Sequence, residues 1–362
     1  KILHFKKLRK VTRVFKINPS FLFILNLYLL KKYDIIFDMK EHSWPIIGHN
    51  QAINFFEHLL SYEQRLPGNL GGSYILSGLT ETGRMSTLTV FLEKLANLAH
   101  YKHSAYDIAR LHILNDKKEI GIAQAREFTN QMSLSSFGSY YRIGIIESAE
   151  YLSLEAANAL LKTLEDARDQ AIIFLITTSP DQLPATIRSR SQIISFNPVS
   201  ADIMYEWLID SHKVVRTQAK HISRLANGRP GTALSLLQDK KLIEEYVAPV
   251  RLLCSALTSS LYERWQMVDK LLGSAKSSDV GLRAHSIISH WRLGLRDILL
   301  LHLNRPELVV HTLLQDELLL ATKRLNPFDI RRYDRILERA NTYIRSNINP
   351  KLVLEQAMMN IQ

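Results

Sequence analysis

Residues 141–166 read YRIGIIESAEYLSLEAANALLKTLED. The segment from Tyr141 to Ile146 has the apolar density of a buried strand and runs out into polar Glu147, Ser148 and Glu150. Ser153 then suits a helix N-cap, because its hydroxyl can satisfy a backbone N–H that the first helical turn leaves free. Ala157, Leu160, Leu161 and Leu164 follow at the spacing i, i+3, i+4, i+7. That stripe predicts an amphipathic helix with Asn158, Lys162 and Glu165 turned outward. Glu150, two places beyond Ser148, is expected to face elsewhere. Strand, polar tip and packed helix make one α/β unit.

A second such unit lies upstream. Residues 73–77 (SYILS) form a strand candidate, residues 78–86 (GLTETGRMS) a glycine loop, and Leu88, Phe91, Leu92, Leu95 and Leu98 one buried helix face. Strand, glycine loop and helix are the setting of a phosphate-binding loop, whose template is G-x-x-x-x-G-K-S/T. Gly78 and Gly83 fall in register. The chemical positions do not. Arg84 stands for the lysine, and a planar guanidinium is no substitute for the compact ammonium that reaches the β- and γ-phosphates. Met85 stands for the hydroxyl residue and cannot ligate Mg²⁺, a hard cation that takes oxygen. Ser86 lies about 100° further round the helix. The strand at 141–146 shows the same alteration. In P-loop ATPases such a strand ends in Asp-Glu, for the Mg²⁺ shell and the attacking water. Here it ends in Glu147-Ser148, a carboxylate on a longer arm followed by a hydroxyl that is no base near neutral pH. Two apolar frames survive while their chemical positions have changed, which points to a retained fold with lost hydrolysis.

A third strand is predicted over residues 171–178 (AIIFLITT), followed by a loop through Pro184, Ile187, Arg188, Ser189, Arg190 and Ser191. Residues 156–166 (AANALLKTLED) behind an altered Asp-Glu strand closely resemble bacterial clamp-loader subunits of the AAA+ class, above all the delta-prime type of DNA polymerase III. Residues 121–127 (GIAQARE) resemble the same family, as does the opening Ile47-Gly48-His49-Asn50-Gln51-Ala52. The likeness runs from about Trp44 to Ile361 and is most specific over residues 121–198.

The resemblance implies an α/β P-loop NTPase (AAA+) core with a small helical lid, followed by an all-α collar. It places the sensor 1 position at Thr177 or Thr178, and makes Arg190, in Ser189-Arg190-Ser191, an arginine finger offered in trans, with Arg188 a weaker competitor. In residues 226–237, aligned on Ala233-Leu234, the sensor 2 arginine position holds Gly231, and Arg229 falls two places short. Many relatives carry a four-cysteine zinc module before the second strand. Residues 91–107 contain no Cys, and His100 and His103 read as surface histidines, so zinc is not expected. Residues 291–297 (WRLGLRD) resemble the collar helix of the family. Residues 347–355 (NINPKLVLE) resemble its last helix, with Pro350 at a helix start, where its fixed φ fits. Met358 and Met359 read as packing residues.

Charge looks at first like a case for a nucleic-acid binder, with a net +11 over 362 residues. Residues 1–38 carry nine Lys/Arg against two acids, so seven of those charges sit there and the other 324 residues are nearly balanced. The apolar run over residues 21–30 imitates a signal peptide, but Lys31 and Lys32 follow it with no small-residue cleavage site. It is also shorter than the roughly 20 residues a membrane-spanning helix needs. We read residues 1–38 as outside the functional fold, with a surface-associated tail and a membrane anchor as the alternatives. Loader assembly is expected to proceed from a chain starting at Met39. The single cysteine, Cys254, excludes a disulfide scaffold and fits a reducing cytoplasm. The domains expected are a core over 39–198, a lid over 199–240 and an oligomerising collar over 241–362.

The function implied is a delta-prime-like stator that supports ATP-dependent loading of the sliding clamp onto primed DNA. Tau/gamma and delta subunits, the beta clamp and primer–template phosphates would be its partners, without membrane contact. No cofactor would be required, and ATP contact at Gly78–Arg84 would be vestigial at most. Two other readings compete: an active motor of the gamma/tau type, opposed by Arg84, Met85, Ser148 and Gly231, and a basic membrane- or DNA-coating protein, opposed by the near-neutral remainder.

Overall fold

Two strands buried on both faces hold the α/β half together. β1 (Gly72–Gly78) and β4 (Ala171–Thr177) lie side by side and parallel, with Ser77 level with Thr177. The computed structural model describes residues 44–67, 69–98, 104–112, 119–133, 139–167, 171–273, 280–346 and 348–361. Residues 1–38, His100 and His103 lie outside that set, as do the readings made of them. Contacts divide the chain into Lys1–Ile46, of which only 44–46 are described, and Ile47–Gln362, which contains the sheet and the helices.

The sheet has five strands in the order β2-β3-β4-β1-β5, where β2 is Ser104–Leu111, β3 is Ser139–Ile146 and β5 is Ser191–Phe196. Every pairing is parallel, so each connection must cross over, and helices supply the crossovers. They are α1 (Asn50–Arg65), leading into β1, then α2 (Arg84–Ala96), α3 (Ile122–Ser133), α4 (Leu154–Asp166) and the single turn α5 (Ala185–Arg188). Alternating residues of β1 and β4 face opposite layers. Tyr74 stacks on Phe174, with ring centroids 5.6 Å apart, on the side where Phe56 of α1 meets Phe91 of α2 at 4.8 Å. Ile75, Ile173 and Leu175 join Phe128 of α3 and Leu160 and Leu164 of α4 in the other layer. Ser153 caps α4 by accepting from Ala156 N at 3.1 Å, and Asn158, Lys162 and Glu165 face solvent. Leu161 is only half-buried; Ala156 completes the buried stripe instead.

Beyond β5 everything described is helical: α6 (Ala201–Asp210), α7 (Arg216–Leu225), α8 (Pro230–Gln238), α9 (Lys240–Ala256), α10 (Leu261–Leu272), α11 (Val280–His302), α12 (Gln315–Thr322), α13 (Pro327–Arg345) and α14 (Pro350–Met359), with single 3-10 turns between α11 and α12. The architecture is therefore the expected one, a parallel α/β core followed by helices. One hydrophobic core runs from Val199 to Ile361 through all these helices. The tryptophan–aspartate segment of α11 serves that core. Trp291 is fully buried and donates Nε1–H to Pro249 O at 2.9 Å. Asp297, also fully buried, accepts from Val310 N, from His311 N at 2.9 Å and from His311 Nδ1 at 2.8 Å. Asn349 caps α14 with Pro350 at its first position, and Met358 is buried. Burial pushes the Cys254 thiol up to about 12, with Glu317 adding to the effect, so it carries no thiolate near neutral pH. Among the described residues no helix is long and apolar enough to cross a membrane, and no cluster of metal-ligating side chains occurs.

Candidate functional site

Because all five strands run the same way, the segments leaving β1, β3 and β4 open on one edge of the sheet. Ligands of open α/β sheets bind at that carboxyl edge. β1 ends at Gly78, where a Cβ would stand 2.4 Å from Phe196 O of the adjacent strand; only glycine fits. In the loop, Thr82 is fully buried, donates Oγ1–H to Leu79 O at 2.7 Å and offers its own carbonyl to His49 Nε2 at 2.7 Å. Gly83, at φ 104°, turns the chain into α2. The segment therefore has the strand–loop–helix geometry of a phosphate loop.

Its cation points inward. Arg84 is buried and donates Nη1–H to Thr177 O at 2.5 Å, across the tip of β4. Burial pushes its pKa down, and the nearby Glu150 carboxylate pulls it part of the way back. Met85, which follows Arg84, is half-buried and carries no hydroxyl, Ser86 is exposed, and the Thr87 hydroxyl is taken up by Gly83 O at 2.9 Å.

At the tip of β3, Glu147 is 3.4 Å from Arg110 Nη1, and Ser148 adopts a left-handed φ of 54°. That turn starts the 3-10 segment Ala149–Tyr151 and swings Glu150 back to the edge. Glu150 does not face elsewhere. Its Oε1 accepts from Thr178 Oγ1 at 2.7 Å and from Thr178 N at 3.3 Å, while its Oε2 is buried without a partner. The two threonines differ. Thr177 is buried and exchanges hydrogen bonds with Ser179, whereas exposed Thr178 meets Glu150. Glu150 is the site residue that the spacing missed; only the positive φ at Ser148 brings it in, and a serine gives no signal of that.

The start of α8 closes over the loop. Gly231 N donates to Glu81 O at 2.9 Å, and the buried Thr232 hydroxyl donates to Glu81 Oε2. A Cβ at 231 would stand 3.0 Å from Glu81 Cβ and 3.2 Å from Glu81 O. Glu81 itself holds φ 63°, an uncommon conformation for glutamate. Arg229 turns back on its own turn, with Nε donating to Ala226 O at 3.3 Å.

Arg190 lies away from this loop, in the turn between α5 and β5. Its Nε donates to Glu165 Oε1 at 2.6 Å, Nη2 lies 2.5 Å from the same oxygen, and Nη1 donates to Thr186 O at 3.0 Å. Arg188 meets the exposed Asp181 at 3.0 Å, and its Nε is buried without a partner. Gly78, Gly83, Arg84, Met85, Glu147, Ser148 and Thr178 thus all lie at the ends of β1, β3 and β4 or just beyond them, on the carboxyl edge of the sheet, while Arg190 sits on a separate exposed turn.

Residues 68–200 match the family model described as "DNA polymerase III, delta subunit". The chain is 33% identical to the DNA polymerase III subunit delta' of Haemophilus influenzae over 38% of its own length and 42% of that protein. It is 34% identical to the Escherichia coli subunit delta' over 34% of its length and 36% of that protein. It is 26% identical to the Bacillus subtilis DNA polymerase III subunit tau over 52% of its length and 37% of that protein. The matches thus span less than half the length of each relative. With its parallel sheet and the altered loop at the carboxyl edge, the chain is thus similar over residues 68–200 to the DNA polymerase III delta-subunit family.

Proposed function

We propose that this chain is a delta-prime-like stator of a clamp loader, a subunit that does not hydrolyse ATP itself and offers Arg190 to the ATP site of a neighbouring subunit. The observation that carries the reading is Arg84. The side chain in the lysine position of the loop is buried on Thr177 O, with Met85 where a magnesium-binding hydroxyl would stand. That donor set does not fit a magnesium–triphosphate, and no hydrolytic step is assigned to this chain. Any nucleotide contact is left to the backbone N–H groups of residues 79–83.

The part played in hydrolysis is then indirect. A guanidinium placed beside a γ-phosphate stabilises charge that develops in the transition state, by up to several orders of magnitude in rate. Arg190 is exposed, on a short turn fixed by the backbone bonds Ser189 N to Ala185 O and Arg190 N to Ile187 O. Tau/gamma and delta subunits are the partners in this reading. The beta clamp and primed DNA are the cargo, DNA is met through phosphates rather than bases, and the setting is the cytoplasm. No zinc enters. In a complex reconstituted with tau/gamma and delta subunits, Arg190→Ala should leave assembly intact and lower the ATPase rate. An unchanged rate would remove the finger assignment.

A further inference from the structure

We infer that Glu165 is the positioning residue for Arg190, an inference that rests on the finger reading above. Glu165 sits in the last turn of α4, a helix whose opposite face, Ala156, Ala157, Leu160 and Leu164, is sunk in the core. Ser73 Oγ of β1 further ties that turn by donating to Leu164 O at 3.3 Å. The carboxylate therefore projects from a rigid base. It takes the Nε–Nη2 edge of Arg190 side-on through one oxygen, at 2.6 and 2.5 Å, while Thr186 O takes Nη1 at 3.0 Å. Two anchors on two elements fix the plane of the guanidinium.

The donor count shows what this leaves over. An arginine has five N–H donors. Three are engaged at 3.0 Å or less, one on Nη1 has only the 3.5 Å contact to Ser189 Oγ, and one on Nη2 has no partner among the described residues. An incoming phosphate oxygen can take these without breaking the hold of Glu165. The pair is too wet to matter much to folding: the Arg190 and Glu165 side chains are 34% and 50% exposed. Exposed pairs of this kind contribute little to folding stability. Its effect is preorganisation, since a free arginine must give up the freedom of a long side chain each time it meets phosphate. Arg188 has no such mount; its carboxylate partner, Asp181, is 86% exposed.

The test uses the full chain in complexes reconstituted with tau/gamma and delta subunits, with ATP hydrolysis followed against ATP concentration. Glu165→Ala should lower kcat about tenfold while KM stays within about twofold, because aim is lost and nucleotide binding by the neighbour is not. Glu165→Gln, which keeps the acceptor oxygen, should recover at least half of the rate. In an Arg190→Ala background, Glu165→Ala should change nothing further. Thermal unfolding of each variant separates a folding defect from lost aim. A wild-type or raised kcat in Glu165→Ala, beside a lowered kcat in Arg190→Ala, would overturn the positioning role and leave the finger standing. An equal further loss in the Arg190→Ala background would overturn it too. An unaltered rate in Arg190→Ala would instead strike the finger reading itself.

Discussion

Arg84 occupies a position where a lysine would be aimed at phosphate, and the fold has given it a different partner. Its guanidinium reaches across the sheet tip to Thr177 O, under the influence of Glu150. Arg84→Ala should therefore cost stability, by about 1–3 kcal/mol, because a buried carbonyl loses its donor. Urea unfolding checks this, and a variant as stable as the parent would show that the bond contributes nothing. The sequence already said that a lysine and a hydroxyl were missing at 84 and 85. It could not say where the arginine had gone, since its partner lies 93 residues away. Glu150 is the opposite case, a residue set aside on strand spacing that the left-handed turn at Ser148 returns to the edge.

Among elements, the contact between the glycine loop and the start of α8 ties the carboxyl edge of the sheet to the helical half. Gly231 gives its N–H to Glu81 O, and Thr232 its hydroxyl to the Glu81 carboxylate. An added methyl at 231 would press on Glu81 at 3.0 Å, so Gly231→Ala should destabilise by about 1–3 kcal/mol, and Thr232→Val by about 1 kcal/mol. Chemical unfolding of both variants measures this; two neutral substitutions would mean that loop and helix are not coupled. Gly231 thus has a steric reason besides the loss of an arginine. The elements that were legible in the sequence had local signals: the Ser153 cap and stripe of α4, the apolar runs of β1 and β4, and Asn349-Pro350 at the head of α14. β5 was not. Its alternation in residues 191–196 begins within the Ser-Arg-Ser motif, and half of its residues are exposed, as on an edge strand. A contact such as Gly231 to Glu81 has no local signature at all.

At the scale of the whole molecule, acid should loosen the fold through one buried histidine, His290, and three half-buried ones. His49, His212, His221 and His290 are all pushed down by burial, His290 to about 4. The unfolded chain takes up protons near pH 6.5 that the folded chain refuses, so stability falls as pH drops from about 6.5 toward 4. His290 alone accounts for up to about 3 kcal/mol of that fall. Its replacement by Asn should flatten the pH dependence of the unfolding free energy, and a slope equal to that of the parent would exclude His290 as its source. The helical half keeps its strongest polar contacts inside the chain, with Asp297 on His311 and Trp291 on Pro249 O, while the edge of the sheet spends Arg84 and Glu81 on the fold itself. On the function proposed above, a chain organised in this way supports chemistry performed by a neighbour. The most direct measurement of that claim is ATP hydrolysis by the purified chain alone, beside its Glu147→Gln variant. Background turnover is expected in both; turnover in the parent that disappears in Glu147→Gln would contradict the claim and make the chain an ATPase in its own right.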